Sequence, residues 1–133
     1  MRIARLTDYA FVLLTVLGRQ KLASAPVLAE MSGLGEPTVA KILKFLAHAG
    51  IVNAARGATG GYSLAKPLED INVASVIEAM EGPIAFTRCT QEKTYDCACG
   101  DQCDKQAAWV DVNTMVRDAL ANISLAQMER QAS

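Results

Sequence analysis

The sequence predicts a mainly α protein with a small two-stranded wing, arranged as a winged helix-turn-helix with a long helix appended. Three observations carry that prediction. Three helix-forming stretches separated by turn signals fill the first fifty residues, a glycine-rich hairpin follows, and a long helical pattern runs over 104–121 near the end. Of the 133 residues, 51% are apolar but only 5% aromatic, which favours helices built on Ala, Leu, Val and Ile.

The first helix is expected over 7–19, with Thr7 or Asp8 as N-cap and with Phe11, Val12, Leu14, Val16 and Leu17 covering a broad apolar face. Ser24 offers a second cap, before Pro26-Val27-Leu28-Ala29-Glu30-Met31. Ser32-Gly33-Leu34-Gly35 makes a turn, and Glu36-Pro37 opens a third helix, since proline suits the first helical turn. That helix reaches His48 and stops at Gly50. Val39, Ile42, Leu43 and Leu46 form its buried stripe, while Thr38, Lys41 and Lys44 share another face. Helix, glycine turn, helix is the arrangement that lays a recognition helix in a DNA major groove, although a plain helical bundle with a solvated lysine face shows the same pattern.

The next segment separates those readings. Residues 51–55 and 62–65 are strand-like, and Arg56-Gly57-Ala58-Thr59-Gly60-Gly61 joins them as a turn. Glycines there allow tight turning and close approach to a phosphate, so Gly60, Gly61 and Tyr62 are candidate DNA-contact residues. Arg56 at the tip is the residue type that enters a minor groove or pairs a phosphate. Pro67 ends the hairpin, and a further helix over 73–81 stops at Gly82-Pro83. Residues 1–82 thus read as a DNA-binding domain, 83–103 as a cysteine-rich loop and 104–133 as a dimerisation helix with a tail.

The charge distribution agrees. Residues 1–66 hold eight Lys/Arg and three acids, a net +5, whereas 67–133 hold five and eleven, a net −6, although the whole chain is −1. Such asymmetry suits one half that meets a polyanion. The N-terminus also has the outline of a secretory signal: a basic start, the apolar run Ala10–Gly18 and Ala23-Ser24-Ala25 as a cleavage-like site. Asp8 at the edge of the run, Arg19-Gln20-Lys21 behind it and the helix pattern across it oppose that reading. No apolar stretch reaches the roughly 18 residues that span a bilayer, so a cytoplasmic protein with no membrane partner is expected.

All four cysteines, Cys89, Cys97, Cys99 and Cys103, fall within fifteen residues of polar sequence. A reducing compartment keeps unbound thiols reduced, and thiolates bind soft or borderline metals. Zinc is one candidate, although Cys97-Ala98-Cys99 is not the usual finger spacing. No enzyme is indicated: His48 is the only histidine, it lies far from the cysteines in sequence, and no Ser/His/Asp set is present. His48 and Trp109 have plainer readings, the first as a charge at a helix C-terminus and the second as core.

The opening Leu6-Thr7-Asp8-Tyr9-Ala10, the helix Pro37-Thr38-Val39-Ala40-Lys41-Ile42-Leu43, Gly50-Ile51-Val52, the wing Arg56-Gly57-Ala58-Thr59-Gly60-Gly61-Tyr62 and Val76-Ile77-Glu78-Ala79-Met80-Glu81-Gly82 resemble the IscR-type iron–sulfur winged-helix regulators, which include NsrR and RirA. The resemblance spans about residues 1–128 and is greatest to regulators of the SUF iron–sulfur assembly operon. It implies a transcription regulator that carries an iron–sulfur cluster, 2Fe–2S or 4Fe–4S, on Cys89, Cys97 and Cys103. Cys99 departs from the pattern: it replaces Cys97, adds a fourth thiolate or stands by. Gln106 stands where the IscR branch carries a ligating histidine, so that ligand does not carry over. Asp8 occupies the place of the aspartate that, in the NsrR branch, ligates the partner subunit's cluster; it also reads as an ordinary acid at a helix N-terminus.

In the helix over 104–121, Trp109, Val112, Val116 and Ala119/Leu120 repeat at three- and four-residue steps. The remaining chain is too short to cover that stripe, so the expected partner is a second copy, through the same helix or its first helix. A homodimer presents two recognition helices to the half-sites of a double-stranded DNA operator. After Asn122-Ile123-Ser124 a short terminal turn is expected.

Overall fold

The computed structural model describes residues 2–85 and 104–132. Helix α1 spans Arg5–Gly18, α2 Ala25–Ser32 and α3 Glu36–His48. Strands β1 (Val52–Ala55) and β2 (Gly61–Leu64) form the antiparallel wing, in the register Val52↔Leu64 to Ala55↔Gly61. A 3-10 turn at Leu68–Asp70 leads into α4 (Val73–Glu81), and α5 (Asp104–Ala121) and α6 (Leu125–Ala132) complete the described chain. The expected fold class, mainly α with a two-stranded wing, is the observed one.

One apolar core holds these elements. Leu13, Leu14 and Leu17 of α1, Leu28 of α2, Val39, Ile42, Leu43 and Leu46 of α3 and Val76 of α4 are all fully buried. The stripe expected on α3 is therefore the buried one. On α1 the face differs from expectation: Leu13 is buried, whereas Val12 is 42% exposed. An apolar run with few polar breaks leaves the inward phase of a helix undefined, and contacts with α2, α3 and α4 select it.

The start of α1 is a second difference. Ala4 is its N-cap residue and makes no side-chain capping bond. Thr7, expected as a cap, is buried inside the first turn, with its hydroxyl unpartnered among the described residues. Asp8 stays exposed in that turn, where the helix dipole favours an acid. Ser24 does cap α2, accepting the Val27 N–H at 3.4 Å, and Asn72 caps α4 through Ser75 N–H at 2.8 Å. Beyond Ser32, Gly33 turns the chain at φ +78°, a left-handed conformation that favours glycine.

The end of the chain returns to the beginning. In place of a short turn, Ser124 starts the eight-residue α6 by accepting the Gln127 N–H at 3.0 Å. Val73 N–H donates to Ile123 O and Leu125 N–H to Ile71 O, both at 2.9 Å. Leu125 is 4% exposed and belongs to the same core as α1 and α3. Only three apolar side chains, Leu125, Ala126 and Met128, mark this helix before its polar end, too few for a periodic signal.

Leu125→Ala is expected to destabilise the protein by about 2–5 kcal/mol, the usual cost of emptying a buried leucine site. Urea unfolding measures it, and an unchanged midpoint would detach α6 from the core.

Candidate nucleic-acid interface

Because one side of α3 is sealed in the core, the 3.6-residue repeat forces Lys41 and Lys44 outward. Both are exposed, together with Glu36, Pro37 and Ala40, and Thr38 is half-buried. Lys21, Arg56 and Lys66 are exposed as well. Two further groups on α3 escape sequence reading. Ala40 is exposed, and Phe45, one turn beyond Lys41, retains 38% exposure. Apolar residues in a helix read as core, so composition gives no signal for an outward methyl or ring. On a groove-facing surface such groups can contact a thymine methyl.

The wing is built for a sharp reversal. Gly57 has φ +106°, and its carbonyl accepts the Gly60 N–H at 2.9 Å. Arg56 follows directly on β1, whose residues Asn53–Ala55 are exposed. The other side of β2 is occupied: Ala23, between α1 and α2, exchanges two backbone hydrogen bonds with Tyr62, Ala23 N–H to Tyr62 O at 3.0 Å and Tyr62 N–H to Ala23 O at 2.7 Å. Tyr62 is half-buried and packs on the core. No pattern in the chain marks this third partner, because an isolated bridge leaves none.

Cys89, Cys97, Cys99 and Cys103 lie outside the described residues. Among the described residues no three His, Cys, Asp or Glu side chains gather into a metal-binding group. Asp8 borders an open depression of about 390 Å³ lined by Ile3, Arg5, Phe11, Val73 and Met128. Beyond the cysteine segment in sequence, the side-chain amide of Asn113 donates to Ile84 O at 2.7 Å, and Arg117 Nε meets Glu78 Oε1 at 2.7 Å. These bonds, one helical turn apart, fasten the second half of α5 to α4 and its exit. Apolar side chains of α5 nevertheless remain exposed. Trp109 is 41% exposed, Val112 39% and Met115 64%, so the tryptophan expected in the core is not buried within this chain.

The Rrf2 family, described as iron-dependent transcriptional regulators, matches residues 3–131. The chain belongs to the Rrf2 family. It is a DNA-binding transcriptional regulator and not an enzyme. Among curated relatives, Protein aau3 of Rhizobium meliloti (strain 1021) is 33% identical over 110 residues, 81% of this chain and 71% of that protein. The HTH-type transcriptional regulator IscR of Photorhabdus laumondii is 32% identical over 101 residues, 76% of this chain. The match spans 60% of that IscR's length. Among solved structures, T. potens IscR superposes with a TM-score of 0.68 at 26% identity, covering 100% of this chain and 89% of the other. The B. subtilis global cysteine regulator CymR has the same fold, with a TM-score of 0.68 at 23% identity over 96% of this chain and 95% of its own. Among the described residues of this Rrf2 protein, no helix is long and apolar enough to cross a membrane.

Proposed function

We propose that this Rrf2 regulator is a homodimer that links the state of an iron–sulfur centre to operator affinity, and that its targets include iron–sulfur cluster assembly genes of the SUF type. The observation that carries the DNA surface is the two-sided character of α3: fully buried Val39, Ile42, Leu43 and Leu46 on one side, exposed Lys41 and Lys44 on the other. Thr38, Lys41 and Lys44 line the major groove, with Ala40 and Phe45 offering apolar contacts. Arg56 reaches the backbone or minor groove from the wing, whose Gly60-Gly61-Tyr62 segment accompanies it.

The donor set fits the centre. Four thiols within fifteen residues are chemistry for iron–sulfur or zinc, and the described residues offer no rival cluster of ligands. Cys89, Cys97 and Cys103 would hold it, with Cys99 as the spare thiol and Asp8, exposed on α1, as a contact from the partner subunit. Bound there, an iron–sulfur cluster supplies redox and oxygen sensitivity. The protein's part is positional. The chain leaves α4 at Glu81, Ile84 three residues on is tied to Asn113, and in sequence the cysteine segment runs from there to the head of α5. A change in the intervening segment therefore bears on α5, and α5 sets the spacing of the two reading heads. Operator affinity responds only if the two spacings bind DNA with different free energy. The uncovered Trp109, Val112 and Met115 support α5 as the surface that a second copy covers.

Lys41→Ala and Lys44→Ala are expected to weaken duplex binding and to shallow its salt dependence by about one counterion each. Arg56→Ala should cost about 1–3 kcal/mol. Fluorescence titrations at several salt concentrations measure both, and wild-type behaviour of all three variants would reject this surface.

For the dimer, sedimentation velocity should find two chains per particle in the wild type. Val112→Asp and Val116→Asp should give monomers, since an unpaired interface charge costs several kcal/mol. A wild-type monomer at micromolar concentration would exclude the arrangement.

The centre itself is tested by iron and sulfide assay and an absorption spectrum of anaerobically purified protein. Ala at Cys89, Cys97 or Cys103 should abolish bound iron, Cys99→Ala should be the mildest of the four, Asp8→Ala should hasten cluster loss and Gln106→Ala should change little. Stoichiometric zinc with no iron would replace the sensor by a zinc-stabilised DNA-binding protein.

A further inference from the structure

The glycine pair in the wing has its close neighbours inside the protein. A Cβ on Gly61 would sit 2.8 Å from the Ala23 carbonyl oxygen, 2.9 Å from the Ala23 carbonyl carbon and 3.2 Å from the Ser24 nitrogen. These are backbone atoms that cannot swing aside. On Gly60 a Cβ would approach Arg56 C and Gly57 O, both at 2.9 Å, so that glycine is demanded by the turn itself. Ala23 is buried, and Ser24 beside it is the N-cap of α2. The seam Ala23–Tyr62 therefore joins the wing to the residue before the cap of the first helix in the helix-turn-helix.

We infer that Gly61 is a positioning residue for DNA binding: by letting β2 lie against the Ala23 backbone, it fixes where Arg56 stands relative to Lys41 and Lys44. Two antiparallel strands alone are a weak unit in water, and a third partner restrains their direction. Arg56 lies at the end of β1, and the Ala55↔Gly61 pair couples that end to the seam. A wing free to pivot would spend the ordering of Arg56 out of its binding energy. The seam removes that loss beforehand. This inference rests on the reading that Arg56 contacts DNA, and the test separates the two.

Full-length wild type, Gly61→Ala, Ala23→Pro and Arg56→Ala are compared, together with the double variant Gly61→Ala/Arg56→Ala. The probe is a mixed-sequence DNA duplex, titrated at several salt concentrations, and amide hydrogen exchange is followed on the DNA-free proteins. Ala23→Pro removes the Ala23 N–H donor from the other side of the seam without altering any proposed DNA contact. In the wild type the Tyr62 amide should exchange slowly without DNA, and it should exchange fast in Gly61→Ala. Ala23→Pro loses one bond of the bridge but keeps the Ala23 carbonyl that accepts from Tyr62, so there it should exchange faster than in the wild type by a smaller factor. Each seam variant should bind duplex about tenfold more weakly, the loss expected when one arginine is no longer held in place. Arg56→Ala should add little in the Gly61→Ala background, the non-additivity of residues that act together.

Fast Tyr62 exchange in the wild type would overturn the seam without requiring any variant to fold. Tight binding by Ala23→Pro with one bond of the bridge lost would return Gly61 to the role of a direct phosphate neighbour. Additive losses in the double variant would also overturn the coupling. A neutral Arg56→Ala in the otherwise wild-type chain would reject the proposed DNA surface instead, while the exchange rate and the Ala23→Pro titration still decide the seam.

Discussion

Burial of one side of α3 against α1 and α4 governs the rest of this molecule. Val39, Ile42, Leu43 and Leu46 have no exposed surface, and they meet Leu13, Leu14, Leu17 and Val76, which have none either. Each such side chain contributes about 1.5–3 kcal/mol on leaving water. Turning α3 by one residue would bring a lysine into that interior and expose a leucine, two changes that oppose folding together. The helix is locked in rotation, and its outward face carries Lys41 and Lys44 for the same reason that its inward face carries none.

Around that lock, polar joints fix the remaining parts. Side-chain caps at Ser24, Asn72 and Ser124 satisfy N–H groups at three helix starts. The Ala23–Tyr62 bridge binds the wing, and the bonds of Ile123 and Leu125 to the start of α4 bind the tail. The ion pair Arg19–Glu129 at 3.3 Å is largely exposed and contributes little by comparison. Helix α5 is thus held from Asn113 onward by Asn113, Arg117, Leu120 and the tail, whereas Trp109, Val112 and Met115 remain exposed among the described residues. A helix anchored at one end suits transmission of a displacement from the segment before it, since a packed helix moves as a body.

Much of this was legible in the chain. Helix α3 from Glu36 to His48, α4 from Val73 to Glu81, α5 from Asp104 to Ala121 and the two strands of the hairpin were readable because each is coded locally, by apolar period, proline, glycine and cap. The buried stripe of α3 was readable for the same reason, and so was the face that bears the candidate DNA-binding lysines. The start of α1 was not. Thr7 looked like a cap and is buried, because the core's claim on its side chain outweighs one capping bond.

By itself the sequence determined the elements up to α5, their order, the charged face of α3 and the gathering of four thiols within fifteen residues, since those depend on neighbours within a few residues. Tertiary structure alone decided which side of α1 faces inward, that Leu125 closes the core, and that Ala23 lies beside Gly61 and Tyr62. Those contacts join residues dozens of positions apart through backbone hydrogen bonds or non-directional apolar packing. Neither kind of contact leaves a periodic mark on the chain, so only the folded arrangement reveals it.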